Sequence, residues 1–210
     1  MQKTIFFDFD GVILDSFAPA YEVSSYMHPR MSESEYREAF EGNINDTDSH
    51  THKCGDDCRK NLDFFTEYIP KVMNIAKPFD GMSECLIELH KKYRLCIISS
   101  TLTLPIMDLL SKFSMNNFFS DILGNDVHKS KVEKIKMLKE KYCLKNEDCV
   151  FVTDTLGDIK EASIVGVPAI AVSWGFHKVE TLKRGNPIRI VGTTDELQKS
   201  ISDHFELQKN

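Results

Sequence analysis

The chain has 210 residues, of which 41% are hydrophobic and 28% charged, and this composition is ordinary for a globular protein. Its length accommodates one large domain, or a core with a small inserted domain. The formal net charge is −6, and the sequence has no basic stripe and no apolar run of membrane-spanning length, so we expect neither a nucleic-acid nor a membrane partner.

Short apolar runs alternate with amphipathic stretches along most of the chain. The runs are rich in Ile, Val and Phe and too short for helices, which predicts buried strands. They are TIFF (4–7), LCIIS (95–99), SDILG (120–124), CVFVT (149–153), AIAVS (169–173) and, at an edge of the sheet, IRIVG (188–192). Helices are predicted between them, over residues 81–93, 130–142 and 156–166. The second begins with Ser130 and Glu133 at capping-box spacing, and the third ends at Gly166.

Residues 17–78 interrupt this alternation directly after the first strand. The segment is polar and mostly helical in pattern, with helices predicted over 32–43 and 61–76. We therefore predict an α/β fold, a parallel sheet with helices on both faces, that carries a helical insertion hinged near Ser16 and 77–81.

Polar residues follow several of the predicted strands at their carboxyl ends, where a parallel sheet exposes its ligand crevice. They are Asp8 and Asp10 after the first strand, Ser99 and Ser100 after LCIIS, Lys129 or Lys131 after SDILG, and Asp154 with Asp158 after CVFVT. Any one of these is common in loops, but their order along the chain indicates a shared site.

These motifs resemble those of the haloacid dehalogenase-like superfamily, which consists mainly of phosphohydrolases on a Rossmann-like core. The resemblance covers almost the whole chain through DFDGV (8–12), the Ser99 of IISS, a lysine in HKSK, and TDTLGDI (153–159). The insertion matches the helical cap domains of this superfamily, which implies a core of residues 1–16 and 79–210 and a cap of residues 17–78. SWGFHKVETL followed by TTDEL resembles the phosphoglycolate phosphatase-like branch.

The resemblance implies a catalytic role for both aspartates of the first motif. Asp8 would attack phosphorus and form an aspartyl-phosphate. Asp10 would protonate the leaving alkoxide and later take a proton from water. Gly11 would let the backbone turn sharply and approach the substrate. Superfamily members that dehalogenate or cleave carbon–phosphorus bonds usually lack the second aspartate, so an oxygen leaving group is expected here.

The resemblance also implies a Mg²⁺ site that neutralises the acidic cluster. Its expected ligands are Asp8, Asp154 and the backbone carbonyl of Asp10. Asp158 would contact a metal-bound water or hold the ligands in position without binding the metal itself.

A serine and a lysine would bind the phosphate group of the substrate. The hydroxyl of Ser99, beside Ser100, would donate to a phosphate oxygen, and a lysine would neutralise developing charge. The spacing and the phase of the helix favour Lys131 over Lys129.

The function predicted from these residues is that of a Mg²⁺-dependent phosphatase acting on a small phosphorylated metabolite, similar to phosphoglycolate phosphatases. A phosphosugar mutase similar to β-phosphoglucomutase, a pyrophosphatase and a non-catalytic phosphate-binding protein remain alternatives. Both a monomer and a homodimer remain open.

The segment HTHKCGDDC (50–58) stands apart from these motifs. Its histidines, cysteines and aspartates could bind zinc, could contact substrate, or could form a polar loop, and its spacings do not match common zinc-finger pairs. No signal-peptide pattern precedes the first apolar run, so we expect a cytoplasmic protein with all six cysteines reduced.

Overall fold

The computed structural model describes residues 2–45 and 63–207, so the 50–58 segment lies outside the described residues. The strands are β1 (Thr4–Phe7), β2 (Leu14–Asp15), β3 (Lys77–Pro78), β4 (Arg94–Ile98), β5 (Phe119–Leu123), β6 (Cys149–Thr153), β7 (Ala169–Val172) and β8 (Arg189–Val191). The helices are α1 (Phe17–Met27), α2 (Glu33–Glu38), α3 (Phe64–Ile75), α4 (Met82–His90), α5 (Thr103–Lys112), α6 (Lys131–Lys141), α7 (Leu156–Ile164), α8 (Val179–Lys183) and α9 (Thr194–Leu207). In these two ranges we find no helix with the length and apolarity that crossing a membrane requires.

The main sheet is parallel and has the strand order β5-β4-β1-β6-β7-β8. β1 lies inside the sheet, where Phe7 is in register with Ile97 of β4 and Val152 of β6. β8 is an edge strand. The predicted α/β architecture, with a Rossmann-like parallel sheet, is confirmed, and the carboxyl ends of β1, β4 and β6 lie side by side.

Helices cover both faces of this sheet. Alternate side chains of β1 enter different hydrophobic clusters, with Ile5 and Phe7 in one and Phe6 in the other. α4, α5 and α9 contribute to the first cluster, and α6, α7 and α8 to the second. Each fully buried side chain of this size contributes about 1.5–3 kcal/mol to folding, which makes β1 a rigid support for the residues that follow it.

The helical insertion is joined to the sheet by a short antiparallel ribbon. In this ribbon, Leu14 of β2 pairs with Pro78 of β3, and Asp15 pairs with Lys77. α1, α2 and α3 lie between these two strands in the chain. The ribbon lies where the sequence predicts the hinge, and the division into a core of 1–16 and 79–210 and a cap of 17–78 stays a prediction.

The capping box predicted at Ser130 and Glu133 is wrong. Ser130 is the N-cap of α6, but its hydroxyl donates to Glu161 Oε1 at 3.1 Å, and Glu133 pairs instead with Lys136. The same Glu161 oxygen accepts the backbone N–H of Lys131 at 3.0 Å. A carboxylate of α7 therefore caps α6, because a partner from a neighbouring helix satisfies its first amides.

Candidate active site

A cavity of about 360 Å³ lies between the carboxyl ends of the strands and the helical insertion. Predicted site residues lie along its sheet side: Asp8, Asp10, Ser99, Ser100, Lys131 and Asp158. Gly11 and Asp154 are not part of this lining and contact each other beside it. The structure therefore brings the predicted residues together at one edge of the sheet.

Lys131 binds two carboxylates at the base of the cavity. Its Nζ lies 2.7 Å from Asp8 Oδ2 and 2.6 Å from Asp158 Oδ2, and all three side chains are buried. Burial raises the pKa of Asp8 well above its ordinary value, although the ammonium of Lys131 opposes this shift. Burial would lower the pKa of Lys131, but Asp158 and Asp8 together raise it, so this lysine carries its charge. Lys129 is exposed, so the geometry selects Lys131 for the site.

Asp158 is fixed by donors from its own surroundings. Its Oδ2 accepts the hydroxyl of Thr153 at 2.7 Å in addition to Lys131, and its backbone N–H donates to Thr155, the N-cap of α7. Burial opposes ionisation of Asp158, but the charge of Lys131 and the hydrogen bonds that the carboxylate makes with Lys131 and Thr153 lower its pKa. Asp158 is therefore placed to orient Lys131.

Asp154 is the residue best suited to a cation. Its Oδ2 accepts the backbone N–H of Phe176 at 2.6 Å, and its buried Oδ1 has no hydrogen-bond partner among the described residues. Burial raises the pKa of Asp154 to about 7. A buried oxygen without a partner is costly. A bound cation would compensate that cost.

Gly11 and Gly175 leave room for the Asp154 carboxylate. A Cβ on Gly11, whose φ is 72°, would lie 2.0 Å from Asp154 Oδ2, and one on Gly175 would lie 2.3 Å from the same oxygen. Glycine is therefore required at both positions by contact with Asp154. The predicted substrate contact of Gly11 stays a prediction.

The donor set fits Mg²⁺ with few protein ligands. Within the described ranges, no three Asp, Glu, His or Cys side chains converge into a ready cluster. Mg²⁺ commonly takes one or two carboxylates and completes its shell with water and substrate oxygens. Asp8 and Asp154 supply carboxylates of that kind, and their assignment as Mg²⁺ ligands together with the carbonyl of Asp10 stays a prediction.

Asp10 faces the helical insertion and is held at both oxygens. Oδ1 accepts the hydroxyl of Tyr68, on α3, at 2.5 Å, and Oδ2 accepts the hydroxyl of Thr101 at 2.7 Å. Tyr68 is buried, and burial together with the charge of Asp10 raises its pKa, so its hydroxyl stays protonated as a donor. The insertion thus contributes directly to the environment of Asp10.

Comparison with known proteins assigns this chain to a family. Residues 5–172 match the model of the family described as haloacid dehalogenase-like hydrolase. The chain belongs to this family. It is 23% identical over 220 residues to a phosphoglycolate phosphatase of Vibrio parahaemolyticus, an alignment that covers 95% of this chain and 96% of the relative.

Solved structures of other proteins show the same fold. A predicted phosphatase from Clostridium acetobutylicum is similar with a TM-score of 0.80 and 22% identity, covering 97% of this chain and 99% of the other. A haloacid dehalogenase-like protein from Streptococcus pneumoniae gives a TM-score of 0.78 at 21% identity, covering 95% and 98%. At these identities the similarity supports the fold.

In this haloacid dehalogenase-like hydrolase, a histidine missed by sequence reasoning connects the core to the insertion. His177 Nδ1 accepts the backbone N–H of Leu156 at the start of α7. That contact leaves the proton on Nε2, which donates to the carbonyl of Arg37, in α2, at 2.7 Å. Burial lowers the pKa of His177 and favours this neutral form. The side chain of Arg37 returns the contact by donating to the carbonyl of Phe176.

A buried lysine that sequence reasoning also missed supports the loop after β4. Lys134 Nζ donates to the carbonyl of Ser99 and, at 3.5 Å, to that of Gly124. The hydroxyl of Ser99 accepts the backbone N–H of Thr101 at 3.0 Å. Burial and the nearby charge of Lys131 lower the pKa of Lys134 to about 8. The position of Ser99 in this family member therefore depends on Lys134.

We expect the free energy of unfolding to rise less with pH in Lys134→Met than in the wild type. The pKa of Lys134 is about 8 in the fold against an ordinary 10.5, so the unfolded chain binds more protons between these values. The lysine's contribution to stability therefore rises with pH through this window, by about 2–3 kcal/mol. Urea unfolding at pH 7.5 and 10 measures the difference between wild type and variant. The control is Lys136→Met, at an exposed position of α6, and parallel pH curves for wild type and Lys134→Met would contradict this expectation.

Proposed function

We propose that the protein is a Mg²⁺-dependent phosphatase that hydrolyses a small phosphorylated metabolite through an aspartyl-phosphate at Asp8. The observation that carries this proposal is the buried group formed by Asp8, Lys131 and Asp158 beside the unpartnered Oδ1 of Asp154. Such a group combines a carboxylate nucleophile with cationic stabilisation, which is what phosphoryl transfer requires of a protein.

In the first step, Asp8 attacks the phosphorus atom and the alcohol oxygen leaves. Lys131 neutralises negative charge on the transferring group, and Asp158 holds the lysine in place. The hydroxyl of Ser99 donates to a phosphate oxygen from the loop that Lys134 supports. Mg²⁺ bound by Asp8, Asp154 and the carbonyl of Asp10 would reduce the repulsion between carboxylate and phosphate.

In the second step, Asp10 accepts a proton from the water that attacks the aspartyl-phosphate. Tyr68 and Thr101 donate to its two oxygens and so fix the position of the carboxyl group. In the first step the same carboxyl group, once protonated, donates to the leaving alkoxide. One residue thereby serves both steps, because the acid of one half-reaction is the base of the other.

Tyr68→Phe should lower turnover about tenfold, since hydrogen bonds to charged groups contribute about 1.5–3 kcal/mol. The change removes the donor to Asp10 Oδ1 and keeps the aromatic ring that packs in the insertion. The rate of phosphate release as a function of pH is the measurement, because a change at the acid–base residue alters the profile. Tyr21→Phe is a matched control, since the Tyr21 hydroxyl donates to the carbonyl of Met31. Equal rates in the two variants would remove Tyr68 from the mechanism.

Phosphate release from a panel of compounds tests the proposal. The panel contains phosphoglycolate, after the name of the Vibrio parahaemolyticus relative, other small phosphomonoesters and pyrophosphate, each with and without Mg²⁺. Release that requires the metal supports the phosphatase. Isomerised sugar phosphate without net release would favour a mutase, and phosphate binding without turnover of any compound would favour a non-catalytic binder.

A further inference from the structure

The insertion side of the active-site cavity is largely aromatic and apolar. Its lining includes Met27 and Met31 around the end of α1, Tyr36 and Phe40 in and after α2, and Phe64 and Phe65 at the start of α3. Phe176 adds a ring from the core side. The leaving group of a substrate bound at Asp8 would extend toward these side chains, because they form the wall opposite the phosphate-binding end.

The aromatic side chains are packed into two groups. The rings of Phe64 and Tyr68 are stacked with centroids 5.1 Å apart. Phe40 meets Phe176 edge to face at 5.0 Å, and it meets Tyr36 in the same way at 5.2 Å. These contacts hold the rings in place before a substrate arrives, so the binding of a planar group does not have to order the aromatic side chains. Aromatic pairs contribute about 0.5–1.5 kcal/mol beyond the apolar area that they bury.

The described lining residues of the cavity offer little to a small anionic leaving group. Among the described lining residues the basic side chains are Lys131, already bound by Asp8 and Asp158, and His28. The amide nitrogens of Asn43 and Asn45 point to protein acceptors, Glu161 and the carbonyl of Lys129. A carboxylate beside methionine and phenylalanine would lose its hydration with poor compensation.

The size of the cavity agrees with its chemistry. Its volume of about 360 Å³ lies near the lower end of the range typical of pockets for drug-sized ligands. A two-carbon acid would leave much of this space without contacts, whereas an apolar ring would displace water from it. Methionine side chains can also adjust to rings of different shape.

We propose that the substrate is a phosphomonoester whose alcohol carries an aromatic ring, and this proposal rests on the phosphatase function above. The ring binds in the cavity against the insertion. Nucleoside 5′-monophosphates and simple benzylic phosphates share this chemistry. Asp8 and Lys131 act on the phosphate, and the wall of Phe40, Phe64 and Phe65 selects the leaving group.

The test compares kcat/KM for Mg²⁺-dependent phosphate release from benzyl phosphate, AMP, UMP, glycerol 3-phosphate and phosphoglycolate. Benzyl phosphate has an alkanol leaving group, so its rate is not raised by the reactivity of a phenol. We expect the ring-bearing compounds to exceed phosphoglycolate at least about tenfold, the effect of a few added ring contacts. Comparison of the kcat/KM values for AMP and UMP with that for benzyl phosphate shows whether the protein prefers a nucleoside or a simple aromatic group.

Phe65→Ala should lower kcat/KM about tenfold for the ring-bearing compounds and by a smaller factor for phosphoglycolate and glycerol 3-phosphate, which have no ring to contact Phe65. Phe118→Ala is the control, because Phe118 is also half-buried but contacts His90 away from the cavity. Inhibition of the unmodified protein by benzylphosphonate and by phosphonoacetate needs no variant, and benzylphosphonate should bind at least tenfold more tightly.

Three outcomes would count against the inference. Phosphoglycolate as the best substrate, or tighter inhibition by phosphonoacetate, would overturn it and leave the phosphatase function standing. Equal losses for all compounds in Phe65→Ala would overturn the assignment of the aromatic wall. No Mg²⁺-dependent release from any compound would overturn the phosphatase function itself, and the inference with it.

Discussion

Asp8→Asn should abolish measurable phosphate release while the protein stays folded. The amide has the size of the carboxylate, so the packing at the end of β1 is kept, but its oxygen cannot form the aspartyl-phosphate. Lys131 retains Asp158 as a partner at 2.6 Å, so its ammonium is not left alone in a buried site. Removal of the nucleophile eliminates the covalent route, and apart from Asp8 and Asp158 no carboxylate among the described residues binds Lys131.

Two measurements make this prediction decisive. Thermal unfolding shows whether the variant is folded, and mass spectrometry after a rapid quench shows whether phosphate becomes attached to the wild-type chain and not to the variant. Asp108→Asn is the control, since Asp108 is exposed on α5. Turnover like that of the wild type in purified, folded Asp8→Asn would end the proposal of an aspartyl-phosphate.

The sheet was predictable because its strands are short apolar runs. β1 and β6 have the predicted bounds, β4 and β5 each begin and end one residue earlier than predicted, and β7 ends one residue earlier. Strands buried on both faces need no polar alternation, so their composition alone identifies them. Gly166 also follows α7 in the predicted manner, with a φ of 68°.

Several helices were less visible for reasons that can be named. α1 and α5 each carry a proline in the first turn, Pro19 and Pro105, which reads as a break although a first-turn proline costs no intrahelical hydrogen bond. The sequence of α9 does carry a helical pattern, although no helix is predicted there. Leu197, Ile201 and Phe205 recur at every fourth position, and all three are buried.

The predicted aspartates of the site lie in pairs close together in the sequence, whereas a residue that supports one of them lies far from it along the chain. Asp8, Asp10, Asp154 and Asp158 lie in two short motifs, and their place after predicted strands together with the resemblance to the superfamily made them candidates. Tyr68 is 58 residues from the aspartate that it contacts, and that contact depends on how the insertion packs on the sheet. No local pattern contains such information.

Asp10→Asn should slow turnover of alkyl phosphates by roughly 10²–10⁴-fold, the usual contribution of a general acid–base group. The amide oxygen can still accept from one of the two hydroxyls of Tyr68 and Thr101, and the amide nitrogen can donate to the other, but the group cannot transfer a proton. Phosphate release under single-turnover conditions, together with thermal unfolding, measures the loss. Asp15→Asn is the control, because Asp15 is exposed in β2, close to the hinge.

The dependence on the leaving group separates an acid–base role of Asp10 from a structural one. An alkanol needs a proton to leave, whereas 4-nitrophenol does not, so formation of the aspartyl-phosphate from 4-nitrophenyl phosphate should be much less impaired in Asp10→Asn. A displaced backbone would slow both substrates equally and would contradict the acid role. Tyr68→Phe should add little to Asp10→Asn, because the hydroxyl then has no charged partner, and additive losses would show that Tyr68 acts elsewhere.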